Sequence, residues 1–133
     1  MLFGEEHVKR YQETDGAEGH EWEGTHALLL TTTGRKSGQA RTTPLIYGEA
    51  DGNYLIVASK GGADEPPAWY LNLQADPSVQ LQVGADRFAA TARTATPGEK
   101  AALWPVMVAE WAPYDEYQAK TDRDIPVVIL ERA

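Results

Sequence analysis

Ala27-Leu28-Leu29-Leu30-Thr31-Thr32-Thr33-Gly34-Arg35-Lys36-Ser37-Gly38-Gln39-Ala40-Arg41-Thr42-Thr43-Pro44-Leu45-Ile46-Tyr47-Gly48 climbs through apolar and β-branched residues to a glycine-bracketed turn and leaves it through a second β-rich run. That pattern predicts a strand over 27–33, a tight turn, and a strand over 41–48. A second turn of the same kind, Ala58-Ser59-Lys60-Gly61-Gly62, follows a third run, Tyr54 to Ser59, which is reached through the hairpin-type turn Asp51-Gly52-Asn53. Three consecutive strands joined by short turns make an antiparallel meander. Each cationic turn reads either as a hairpin turn carrying solvated charge or as an anion nest, in which freed backbone amides add to guanidinium and ammonium donors. Charge favours the nest. Between Gly34 and Lys60 stand Arg35, Lys36, Arg41 and Lys60 against Glu49 and Asp51, net +2, while the whole chain carries −8, so the rest carries −10. A positive patch on an acidic protein asks for a specific anion.

At 133 residues the chain is one domain's worth, and its 42% apolar content is ordinary for a globular protein. No run approaches the roughly 20 apolar residues of a membrane span. The absence of cysteine removes disulfides and thiolate metal sites, and with no signal-like opening a cytoplasmic location is expected. The acidic balance opposes general nucleic-acid binding.

Working outward, residues 1–25 set Lys9 and Arg10 against seven carboxylates, and Gly16 and Gly19 forbid one long helix. A short helix over Glu6 to Glu13 followed by coil is expected: a solvated cap, or else a lid over the site or a membrane-proximal segment. After the second turn, Asp64-Glu65-Pro66-Pro67 starts a helix that Asp76-Pro77 stops. Trp69, Asn72 and Leu73 share a face of it. Trp69 reads equally as core; a buried Asn72 needs partners. Val79 to Val83 and Phe88 to Thr96 form a hairpin around Gly84-Ala85-Asp86. Thr96-Pro97-Gly98-Glu99 is a capping box that opens a helix carrying Leu103, Trp104, Met107, Val108 and Trp111, with Pro105 as a point where it can kink. Tyr114 and Tyr117 share a face of one or two further turns after Pro113, and Val127-Val128-Ile129-Leu130 is a last strand. Strands outnumber helices. The expectation is a mainly β protein with flanking helices, a small antiparallel barrel with its helices at the rim, preceded by residues 1–25 as a helix-and-coil cap and occupying residues 26–133.

Several chemistries lack their signatures. His7, His20 and His26 have no metal-ligand spacing, no nucleophile elbow or Walker loop occurs, and Gly34 to Gly38 lies between two strands, unlike a Rossmann turn. An anion site with aromatics nearby remains, which suits a cofactor with a flat ring and a charged tail.

Gly34-Arg35-Lys36-Ser37-Gly38, Arg41-Thr42-Thr43-Pro44-Leu45, Ala58-Ser59-Lys60-Gly61-Gly62, Pro67-Ala68-Trp69-Tyr70-Leu71-Asn72-Leu73 and Tyr114-x-x-Tyr117-Gln118 with Ile125-Pro126-Val127 occur in that order. Together they resemble the deazaflavin (F420)-dependent nitroreductase family from about Val8 to Leu130. The resemblance implies a split β-barrel related to the flavin-binding barrels. It also implies coenzyme F420, an 8-hydroxy-5-deazaflavin whose phospholactyl and oligoglutamate tail is a polyanion. By position, Arg35, Lys36, Ser37 and Arg41 would hold the tail, and Thr42, Thr43, Pro44 and Leu45 would line the ring-bearing strand. Val57, Ala58, Ser59 and Lys60 would meet the ring and its chain, with Ala68, Trp69 and Asn72 on the far side. Tyr114, Tyr117 and Ser59 would serve the substrate as proton donors or relays. Trp111 stands where the nitroreducing member of that family leads one to expect a further tyrosine. The implied activity is hydride transfer from the reduced coenzyme to a quinone, activated enone or nitro compound. Two alternatives share the barrel: an FMN-dependent oxidoreductase, which needs fewer cations, and a protein that binds the deazaflavin without turnover.

Overall fold

The structure, a computed structural model, describes residues 2–133. Its elements are α1 (Gly4–Glu13), β1 (Glu21–Trp22), β2 (Thr25–Thr33), β3 (Ala40–Ile46), β4 (Gly48–Ala50), β5 (Asn53–Val57), a single 3-10 turn (Lys60–Gly62), α2 (Ala68–Ala75), β6 (Ser78–Val83), β7 (Asp86–Thr94), α3 (Pro97–Glu110), α4 (Tyr114–Lys120) and β8 (Val127–Arg132). All strand pairs are antiparallel, in the order β1-β2-β6-β7-β8-β5-β4, with β3 also on β2. The mainly β architecture with helices around a curled sheet is the one expected.

The meander needs correction. The strand expected over 41–48 divides at Tyr47: Ala40–Ile46 pairs with β2, and Gly48–Ala50 pairs with β5. The bend carries the chain from one end of the strand order to the other, so the sheet curls back on itself. Its cause is packing. Tyr47 turns into the interior cluster and its hydroxyl meets His20 Nε2 at 2.7 Å. At the next residue α3 crosses so closely that a Cβ on Gly48 would lie 2.7 Å from Met107 Sδ.

Two apolar layers follow from strand alternation. Leu28, Leu30, Ile56, Ala58, Val128 and Leu130 fill the interior with Val79, Leu81 and Tyr70. Leu55, Val57, Val127 and Ile129 face outward and are covered by Met107 and Tyr114 of α3 and α4. Burial on both faces is why 127–130 reads as an unbroken apolar run.

Other boundaries shift for local reasons. The helix expected from Asp64 begins at Ala68, because Pro66 and Pro67 hold the chain extended, Pro67 having ψ 152°. The strand expected to reach Thr96 stops at Thr94, since Thr96 caps α3 through the capping box, accepting from Glu99 N while Thr96 N donates to Glu99 Oε1. α3 continues through the exposed Pro105 to Glu110. The expected coil after α1 contains β1, which pairs with Thr25 and His26. α1 is tied to the sheet by Tyr11, fully buried, whose hydroxyl donates to Ala27 O at 3.0 Å and accepts from Gly84 N at 2.7 Å.

Candidate functional site

The first cationic turn is built by its own backbone. Gly34 N donates to Gln39 O and Gly38 N to Gly34 O, both at 2.8 Å, and Gly38 takes the positive φ of 72° that the curl requires. Asn72 of α2 braces it from beneath: its Oδ1 accepts from Arg35 N (3.2 Å) and Arg35 Nη1 (2.9 Å), and its Nδ2 donates to Thr32 Oγ1 (3.3 Å). The partners that a buried amide demands are thus supplied by the turn and by the end of β2. Around this turn opens a cavity of about 320 Å³ lined by Arg35, Lys36, Ser37, Arg41, Thr43, Ala68, Trp69 and Asn72. Lys36 and Arg41 are exposed, and among the described residues neither forms an ion pair.

Trp69 is also a wall of a second, larger cavity of about 450 Å³. Pro44, Leu45 and Ile46 of β3, Val57 of β5, the turn Ser59, Lys60 and Gly61, and Trp111, Tyr114 and Tyr117 line it. The turn is tightly wound: Lys60, Gly61 and Gly62 take φ of 48°, 65° and 86° in succession. Gly62 abuts α4, where a Cβ would sit 2.7 Å from Tyr117 O.

The two tyrosines differ. Tyr114 is 5% exposed, and burial, with the neighbouring Tyr117 adding, pushes its hydroxyl far above the ordinary tyrosine range. Tyr117 is half-buried, and its oxygen accepts the Trp111 indole N–H at 3.3 Å. An indole nitrogen only donates, so the Tyr117 proton stays free for another acceptor.

The four cations of the sequence separate: Arg35, Lys36 and Arg41 border the first cavity, whereas Lys60 borders the second and lies 3.9 Å from Glu65. Thr42 and Ala58 line neither. The Thr42 hydroxyl is paired with that of Thr31 at 2.8 Å, and Ala58 is wholly inside the barrel. For the N-terminal segment, sequence reasoning offered a lid over the site as one alternative but named none of its side chains for that role. Phe3, His7 and Trp22 line the larger cavity, with Trp22 Nε1 donating to Leu2 O at 2.8 Å and the Trp22 and Trp111 rings 5.9 Å apart. The spacing of His7 and Tyr11, both buried on one face of α1, was the available signal, masked by the surrounding carboxylates.

Residues 3–132 match the family model described as F420H(2)-dependent quinone reductase. The chain belongs to the F420H(2)-dependent quinone reductase family. An F420H(2)-dependent quinone reductase of Mycobacterium tuberculosis (strain ATCC 25618 / H37Rv) is 45% identical over 130 residues, spanning 95% of this chain and 87% of the relative. A solved F420-H2 dependent reductase (FDR-A) is 46% identical, with a TM-score of 0.73 over 79% of this chain and 93% of its own. A FAD-binding protein of Mesorhizobium loti, 16% identical, shares the fold alone, with a TM-score of 0.57 over 80% of this chain and 78% of its own. The resemblance read from the sequence was thus right in its coenzyme and loose in its family, since the F420H(2)-dependent quinone reductase family is the one that matches. Among the described residues no helix is long and apolar enough to cross a membrane.

Proposed function

We propose that the protein is an oxidoreductase that uses reduced coenzyme F420 to reduce a small electron-poor acceptor, with quinones as the principal class. The observation that carries this reading is the pairing, across Trp69, of a cavity bearing Lys36 and Arg41, which form no ion pair among the described residues, with a larger aromatic-walled one. The donor set fits the coenzyme: Arg35, Lys36, Arg41 and the Ser37 hydroxyl suit a phosphate and carboxylates, and the apolar walls suit a flat ring. When bound, the reduced deazaflavin supplies a hydride, with carbon at the central ring position excluding the one-electron oxygen chemistry of flavins.

The chain's own residues then have distinct tasks. Arg35, Lys36, Ser37 and Arg41 hold the anionic tail, with Asn72 fixing Arg35. Pro44, Leu45, Val57 and Trp69 enclose the ring and exclude water. Tyr117 donates a hydrogen bond, and then its proton, to the acceptor oxygen, and water restores it. Ser59, in the same cavity, is a second donor. Tyr114 stays a neutral phenol and shapes the wall. Residues 2–25 act as a cap, closing the acceptor side with Phe3, His7 and Trp22.

The test is fluorescence titration with F420, then spectrophotometric turnover of the reduced coenzyme against a panel of quinones, enones and nitro compounds, with FMN as a control ligand. Coenzyme binding with fastest turnover on quinones is expected. Binding without turnover identifies a sequestering protein, and preferential binding of FMN overturns the coenzyme assignment.

A further inference from the structure

Arg123 lies outside every motif that points to the site. It stands in the polar loop between α4 and β8, and its guanidinium makes the densest set of contacts from one side chain in this part of the molecule. Nε donates to Ala63 O at 2.7 Å, Nη1 and Nη2 each donate to Ala58 O at 3.2 Å, and Nη2 also donates to Ser59 O at 2.7 Å. Three carbonyls of one turn are thereby drawn to one cation. The backbone N–H groups of that turn are left on their own: among the described residues the amides of Ser59, Lys60 and Gly61 have no acceptor, and these same three residues line the larger cavity.

The shape so held is a strained one. Ser59 has right-handed φ and ψ of −82° and −39°, and Lys60, with a side chain, is left-handed at φ 48°. Right-handed followed by left-handed residues turn successive amides toward one point, the concave arrangement that accepts a negatively charged or carbonyl oxygen. A side chain in the left-handed region is disfavoured, and such a conformation persists only where its surroundings over-determine it. The guanidinium fork supplies that constraint, and its charge behind the carbonyls strengthens the amide dipoles on the opposite side.

The loop carrying Arg123 is fixed in its turn. Gln118 of α4 donates from Nε2 to Arg123 O at 2.8 Å and accepts at Oε1 from Ile125 N at 3.0 Å, while Thr121 Oγ1 donates to Asp64 Oδ1 at 2.8 Å. Arg123 therefore ties the turn to the neighbouring helix that carries Tyr117.

We propose that Arg123 is a positioning residue: it holds the Ser59–Gly62 turn with its amides facing the cavity and locks that turn to α4. The role taken toward the coenzyme and acceptor rests on the proposed function; the effect on the turn does not. The experiment compares the wild type with R123K and R123A by backbone amide exchange on the ligand-free protein, F420 affinity, and melting temperature. Lysine keeps the charge but cannot span three carbonyls as a planar fork. Exchange at Gly62 and Ala63, whose amides donate to Ser59 O and Lys60 O, should be faster than wild type in both variants, F420 affinity measured well below the melting temperature should fall about tenfold in R123A, and low guanidinium concentrations should restore it while ammonium does not. Wild-type exchange at these amides together with wild-type affinity overturns the proposal, as does a lower melting temperature with unchanged affinity, which marks a structural arginine. If the wild type fails to bind F420, the proposed function falls while the exchange measurement still decides the turn.

Discussion

The Asn72–Arg35 contact makes a quantitative claim. Asn72→Ala removes three hydrogen bonds: one from the Arg35 guanidinium, one from the Arg35 amide and one to Thr32 Oγ1. A charge-assisted bond contributes about 1.5–3 kcal/mol and a neutral one about 0.5–1.5 kcal/mol, but the Arg35 side chain reaches water and recovers much of its share. The expected loss is thus about 2–3 kcal/mol, a sizeable part of a stability on the order of 5–15 kcal/mol. For a chain of this size that lowers the melting temperature by roughly 10 °C. Arg35→Ala removes only the side-chain bond, since the backbone N–H remains, and should cost under about 1 kcal/mol. If Asn72 serves the site by aiming Arg35, then Asn72→Ala should weaken F420 binding about tenfold in the wild-type background and hardly at all in Arg35→Ala. A double-mutant cycle with coupling of about 1.4 kcal/mol in binding tests this by fluorescence titration. An equal loss in both backgrounds would refute the reasoning, because Asn72 would then contribute to binding independently of Arg35.

Arg41→Ala should weaken F420 binding by about 1.5–3 kcal/mol, with the ligand-free melting temperature unchanged, and affinity should fall with salt because the groove faces solvent. Salt-independent titrations would sink the electrostatic account. Tyr117→Phe should lower kcat/KM for a quinone on the order of a hundredfold while sparing F420 affinity. Tyr114→Phe should be near neutral in both kinetics and melting temperature, because its hydroxyl has no hydrogen-bond partner among the described residues; the reverse ranking exchanges their roles. Glu99 is held at about 2, below the ordinary 4.5, by its hydrogen bonds from Arg93 and the Thr96 amide. A depressed carboxylate contributes stability that is present above its unfolded value and lost as pH falls through the folded one. Acid unfolding of Glu99→Gln should therefore be flatter than wild type between about pH 4.5 and 2, and parallel profiles would remove Glu99 from that role.

Much of this protein is local, and local features are legible in sequence. The turn at Gly34–Gly38, the capping box at Thr96–Glu99 and the unbroken apolar run at 127–130 each follow from the conformational demands of a few adjacent residues, and with them the position of the cationic turn and every strand except β1 and the separate β4. The unmatched positive charge of residues 34–60 already implied an anionic partner, since charge needs no fold to be counted.

What tertiary structure alone decided involves residues far apart in the chain. The division of 40–50 at Tyr47 depends on α3 crossing at Gly48, and no pattern within the strand encodes a helix that arrives some fifty residues later. Four cations that read as one patch belong to two cavities, because β3 and β5 lie on different partners and, among the described residues, Trp69 of α2 alone lines both spaces. The pairing of Asn72 with Arg35, of Trp22 with Trp111 at the larger cavity, and of Arg123 with the Ser59 turn joins residues at least 37 apart in the chain. Such contacts are set by side-chain reach and close packing across the folded barrel, which periodicity along a single strand or helix does not carry.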